Sequence, residues 1–87
     1  MARYEVLIAQ RVASFLEKLD SFEKQRILKR IEELAENPFT VGEPRGKFWI
    51  LKVGRAGYRL AFTVEGTRIM VASIEQRKSS RYRHFYD

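Results

Sequence analysis

Lys52, Arg59 and Arg77 are the residues of this 87-residue chain whose types and spacing can do chemistry together. Side chains alternate across a strand, so Lys52 and Arg59 fall on the face opposite the apolar sets Trp49, Leu51, Val53 and Tyr58, Leu60, Phe62, Val64. Arg77 joins them if Ser73 and Glu75 lie on that same open face. Three cations without intervening carboxylates repel one another by about a kcal/mol per close pair at a surface dielectric. Stability does not call for such a cluster. A phosphate placed among the three relieves the repulsion, and arginine offers forked donors matched to phosphate oxygens. The alternative is structural: Arg59 pairs with Glu75 across the sheet while the Lys52 stem lies along the surface.

The rest of the composition narrows the chemistry further. There is no Cys and one His, His84, which removes disulfides, thiol nucleophiles, Cys-ligated zinc, His-pair metal motifs and most Ser-His catalysis. No metal or cofactor is expected, and an enzyme built from this chain works with Lys, Arg, Tyr and carboxylates. Lys and Arg number 17 against 11 Asp and Glu, a net charge of +6. Residues 1 to 46 balance eight of each sign, whereas residues 47 to 87 hold nine basic and three acidic side chains, so the whole excess lies in the second half. That asymmetry points to a polyanionic partner, with a merely solubilising charge as the bland alternative. The N-terminus lacks an apolar leader and no stretch reaches the roughly 18 apolar residues of a membrane span, so a cytoplasmic protein that does not engage the membrane is expected.

The elements that must position these side chains follow from periodicity. Residues 3 to 8 suit an opening strand. Val12, Phe15, Leu16 and Leu19 make one helical stripe, and Ile27, Leu28, Ile31, Leu34 and Ala35 a second. Between them Asp20-Ser21-Phe22-Glu23 supplies an N-cap, and Asn37-Pro38 ends the second helix. Two helices so closely joined form an antiparallel hairpin whose charged backs face solvent. Residues 38 to 46 hold both prolines and two glycines and read as a loop. Lys47 to Val53, Tyr58 to Val64 and Thr67 to Ile74 then read as a three-stranded antiparallel meander, separated by Gly54-Arg55-Ala56-Gly57 and Glu65-Gly66. In the last strand Ile69 and Val71 compete with Met70 and Ala72 for the core, leaving its parity open. A tail rich in Arg, Ser and Tyr runs from Glu75 to Asp87.

With these pieces in place, the chain resembles the RelE/ParE superfamily of toxin–antitoxin modules. The resemblance rests on the opening strand, the helical hairpin closed by Asn37-Pro38, Arg45-Gly46, Trp49-Ile50-Leu51-Lys52-Val53-Gly54, Gly57-Tyr58-Arg59-Leu60, and Glu75-Gln76-Arg77-Lys78 leading to Tyr82. It implies one α+β domain over residues 1–87, a helical hairpin on one face of a mostly antiparallel twisted four-stranded sheet, followed by a basic tail.

For RelE-type members the resemblance implies a metal-free endoribonuclease that cleaves mRNA in the ribosomal A site and inhibits translation, held in check by a RelB-like antitoxin. ParE-type members share the fold but act on DNA gyrase; that reading, and a non-catalytic nucleic-acid-binding homologue, are the alternatives. Carried onto this chain, the catalytic set implied is Lys52, Arg59, Arg77 and Tyr82, with Tyr86 a rival tail tyrosine. Lys52 would be the base for the ribose 2′-hydroxyl, helped by the arginines beside it. Arg59 and Arg77 would hold the phosphate oxygens and Tyr82 would stack on a base or orient the hydroxyl. Lys47, Arg55, Lys78, Arg81 and Arg83 would extend the surface towards rRNA. His84, as a lone tail residue, is read as solvated rather than as an acid or base. An exposed apolar patch around the hairpin would be the antitoxin's counterpart.

Overall fold

Asp20 settles where the longer helix begins: its carboxylate accepts a hydrogen bond from the Glu23 amide at 2.9 Å, satisfying one of the amides a helix start leaves free. The computed structural model describes residues 3–54 and 57–76. Over them the order is β1 (Glu5–Ile8), α1 (Gln10–Glu17), α2 (Ser21–Glu36), α3 (Pro38–Val41), β2 (Glu43–Arg45), β3 (Phe48–Val53), β4 (Tyr58–Glu65) and β5 (Arg68–Gln76). The strands make one five-stranded sheet in the order β1-β5-β4-β3-β2, with β1 parallel to β5 and the other pairs antiparallel. No helix among the described residues is long and apolar enough to cross a membrane.

Two features differ from the reading of the sequence. The stretch 38 to 46 is not a loop: Pro38 opens the short helix α3, and Glu43–Arg45 forms a fifth strand against β3. Proline survives in both because each place forgives a missing amide, the first turn of a helix and the outermost strand of a sheet. The sheet therefore has five strands, not four. In β5 the register slips between Ala61 and Phe62, which pair with Ser73 and Val71, so Ala72 is an extra residue. The bulge resolves the competing parities. Ile69 and Val71 enter the core before it, and Ser73 and Glu75 lie opposite Ala61 and Arg59 on the open face after it.

The core lies between the helices and the other face of the sheet. Val12 and Leu16 of α1, Ile27, Ile31 and Leu34 of α2, Leu51 and Val53, Tyr58, Leu60 and Phe62, and Ile69 and Val71 form one buried cluster. Trp49 stacks on Phe62 at 6.4 Å and meets Phe39 edge-on at 5.1 Å, sealing the β2 side.

Gly42 leads the chain from α3 into β2 beneath that stack, with extended backbone (φ −92°, ψ 161°) that any residue adopts. Space is what selects glycine: a Cβ there would lie 2.5 Å from Phe62 Cζ and 2.9 Å from the Pro38 carbonyl oxygen. Gly42→Ala is expected to lower the unfolding free energy by about 1–3 kcal/mol through overpacking. A urea-denaturation midpoint equal to that of the unaltered chain would show that Phe62 moves aside freely.

Candidate active site

The pairing of β3 with β4 places Lys52 directly opposite Arg59, and the pairing of β4 with β5 places Arg59 opposite Glu75. All three side chains stand on the sheet face away from the helices. Lys52 and Arg59 are thus brought together as the alternation requires. Lys52 is exposed, Arg59 half-buried. Beyond them the turn closes through Gly54 and Gly57, both in the left-handed region at φ 67° and 81°. Glycine enters that region without steric cost, and its lack of a side chain leaves a shallow cleft of about 130 Å³ lined by Lys52, Gly54, Gly57, Tyr58 and Arg59.

Carboxylates frame this pair of cations, which corrects the expectation of an uncompensated cluster. Lys52 Nζ lies 3.5 Å from Glu43 Oε2 on β2, and Glu75 flanks Arg59 in the sheet register. Glu43 went unseen because its segment read as a loop; the two-residue turn Gly46-Lys47, with Gly46 at φ 64°, is the signal that could have revealed the hairpin. The register places Arg59 beside Glu75, yet no ion pair joins them among the described residues. Among the described residues no hydrogen bond or ion pair takes up the Arg59 guanidinium donors.

The helices also reach the site. β2 ends its pairing at Ile50, which leaves the Lys52 carbonyl without a strand partner on that side, and Arg30 of α2 donates to it at 3.3 Å. One further turn back, the Arg26 side chain packs against Gly54. Helical periodicity alone places both arginines on a solvated back, because the apolar stripe of α2 carries no information about the end of β3 that packs beside it.

Lys47 is exposed in the β2–β3 turn, roughly 16 Å from Lys52 by strand rise and so at the other end of β3. Arg77, Tyr82, Arg55, Lys78, Arg81 and Arg83, with His84 and Tyr86, lie outside the described residues. No group of three or more His, Asp or Glu side chains able to hold a metal ion occurs among the described residues.

Tyr58 forms the cleft's inner wall with its ring turned into the core, edge-on to Phe15 at 6.1 Å. Burial pushes its phenol above the usual value of 10.0, and the negative charges of Glu23 and then Asp20 push the same way. The folded chain therefore holds this proton more tightly than the unfolded chain does. Stability from this group is complete below pH 10 and falls as pH rises above it. Denaturant midpoints measured on both sides of pH 10 are expected to fall on the alkaline side, and less steeply in Tyr58→Phe; equal slopes in the two proteins would contradict the assignment.

No family model matches the sequence, and no curated protein does either. Solved structures do. A chain of the intact E. coli RelBE toxin–antitoxin complex superposes with a TM-score of 0.73 at 24% identity over 84% of this chain and 95% of that one. A chain of the RelBE2 toxin–antitoxin complex from Mycobacterium tuberculosis gives 0.74 at 21% identity, over 90% and 95%. A mutant of E. coli toxin RelE bound to a peptide of the antitoxin RelB gives 0.74 at 24% identity, over 100% and 96%. At these identities the likeness establishes the fold.

Proposed function

We propose that this RelE-like chain is the toxin of a type II toxin–antitoxin pair, acting as a metal-independent endoribonuclease on mRNA in the ribosomal A site. The observation that carries the reading is the cross-strand pair of Lys52 and Arg59 on the open face, beside a cleft whose glycine rim admits a phosphodiester. In the step proposed, the amine of Lys52 takes the proton of the ribose 2′-hydroxyl. The 2′ oxygen bonds to the adjacent phosphorus, the bond to the 5′ oxygen breaks, and that oxygen takes a proton from water, giving a 2′,3′-cyclic phosphate and a 5′-hydroxyl. Glu43 pairs with the ammonium form of Lys52 at 3.5 Å and holds the side chain at the site; the base is the amine that remains once that proton has passed to solvent. Arg59 neutralises charge that grows on the phosphate oxygens, the largest contribution expected from a preorganised donor. Arg77 and Tyr82 complete the set in this reading, Arg77 at the phosphate and Tyr82 against a base.

An antitoxin partner is supported by a separate feature. The amides of Glu5 and Ala9 bond to the carbonyls of Thr67, just before β5, and Val71 within it, so Val6 and Ile8 turn their amides and carbonyls to the outer edge of β1. That edge borders a groove of about 360 Å³ lined by Tyr4, Val6, Ile8, Leu28, Ile31 and Ala35, with Arg3 and Glu32 at its rim. An apolar groove along a strand edge that no other strand covers among the described residues suits an extended or amphipathic segment of a partner chain. Its place beside the helical hairpin is in keeping with the apolar patch expected as the antitoxin's counterpart.

Induced expression in a bacterial host tests the class. Growth arrest with an immediate fall in amino-acid incorporation is expected. Continued incorporation with loss of gyrase supercoiling would replace this reading with the ParE-like one.

A further inference from the structure

Phe22, Arg26 and Arg30 fall at i, i+4 and i+8 on α2, a single stripe, and the stripe runs beside the Lys52–Gly54 end of β3. Each contact is specific. Arg30 Nη2 holds the Lys52 carbonyl at 3.3 Å while Nη1 pairs with Glu33. The Arg26 side chain lies over Gly54, where a Cβ would come 3.0 Å from Nη1 and 3.2 Å from Cδ. Its guanidinium also sits 5.4 Å from the centre of the Phe22 ring, and Phe22 is 68% exposed. Among the described residues Arg26 pairs with no carboxylate.

Gly54 joins two surfaces. It lines the Lys52–Arg59 cleft on the open face and touches Arg26 on the helix side, so the end of the β3–β4 hairpin is the rim over which one surface continues into the other. A bare backbone, a cation that pairs with no carboxylate among the described residues, and an exposed aromatic ring, in that order, match a single strand of nucleic acid: a phosphate against Arg26 and a base on the exposed side of Phe22. Phe22 is the most exposed of the large apolar side chains among the described residues, and the Arg26 guanidinium is the ring partner it has there.

We infer that the Phe22–Arg26 stripe is an accessory binding site for single-stranded RNA, engaging the nucleotide next to the one whose phosphate lies in the Lys52–Arg59 cleft. The inference rests on the phosphate-site reading above and adds to it a stacking platform supplied by α2. Arg30 positions Lys52 through its backbone, and Arg26 and Phe22 contact the RNA.

Fluorescence anisotropy of a short fluorescein-labelled oligouridylate over a salt series tests this with the full chain, with heparin as a competing polyanion that has no bases. Phe22→Ala is expected to weaken oligouridylate binding about 5- to 150-fold with the salt slope unchanged, and to leave heparin affinity intact. Arg26→Ala is expected to weaken both ligands and to flatten the slope by about 0.7, one phosphate contact. Both side chains are exposed, so thermal midpoints stay the same. If F22A and R26A bind oligouridylate like the unaltered chain while Lys52→Ala and Arg59→Ala weaken it, this inference fails and the cleft stands. If all four bind normally, the cleft fails with it. An equal loss of heparin and oligouridylate binding in F22A would overturn the stacking role.

Discussion

Arg59→Ala is expected to lower the rate of RNA cleavage by about 100- to 1000-fold, the usual effect of removing one preorganised donor to a developing anion. The fold should not suffer. Arg59 is half-buried but joins no ion pair among the described residues, and it stands directly opposite Lys52, so its loss removes a like-charge contact of about a kcal/mol. The thermal midpoint of R59A is therefore expected to equal or slightly exceed that of the unaltered chain. A functional arginine separates the two measurements in this way; a structural one lowers both. Should R59A lose several degrees of stability and little activity, the cross-strand pairing with Glu75 is its role and the phosphate reading of the cleft is wrong.

Phe62→Ala is expected to have the largest effect on stability, about 3–5 kcal/mol. Phe62 is 0% exposed, stacks on Trp49, and closes over Gly42, so the cavity opens where α3, β2 and β4 meet. A chain of 87 residues has a total stability of roughly 4–13 kcal/mol. The loss is then a large part of the whole. Thermal unfolding followed by circular dichroism should show the midpoint lower by about 12 °C or more. A shift of a few degrees would mean that Trp49 collapses into the space and that the β2 side of the core is loosely packed.

Local rules served well where one element decided its own fate. Asp20 capping α2, the helix ending at Asn37-Pro38, and the alternation that put Lys52 and Arg59 on one face are all readable from neighbours a few residues apart. What was missed depends on partners distant in sequence. Pro44 looks like a strand breaker until β2 is known to be an outermost strand, and Glu43 enters the site only with that strand. The parity of β5 turned on a bulge at Ala72, which alternation alone does not reveal. Arg26 and Arg30 have the spacing of a solvated helix back, and only the packing of α2 against the end of β3 gives them neighbours.

Cleavage of mRNA on the ribosome by the proposed Lys52–Arg59 site is read out by primer extension on an mRNA under translation. With the unaltered chain, new 5′ ends are expected inside codons held in the A site. They should be absent when ribosomes are left out, and absent or strongly reduced with R59A and K52A. An mRNA that stays intact on translating ribosomes, or one cut equally well by R59A, would mean that the Lys52–Arg59 pair is not a ribosomal nuclease site.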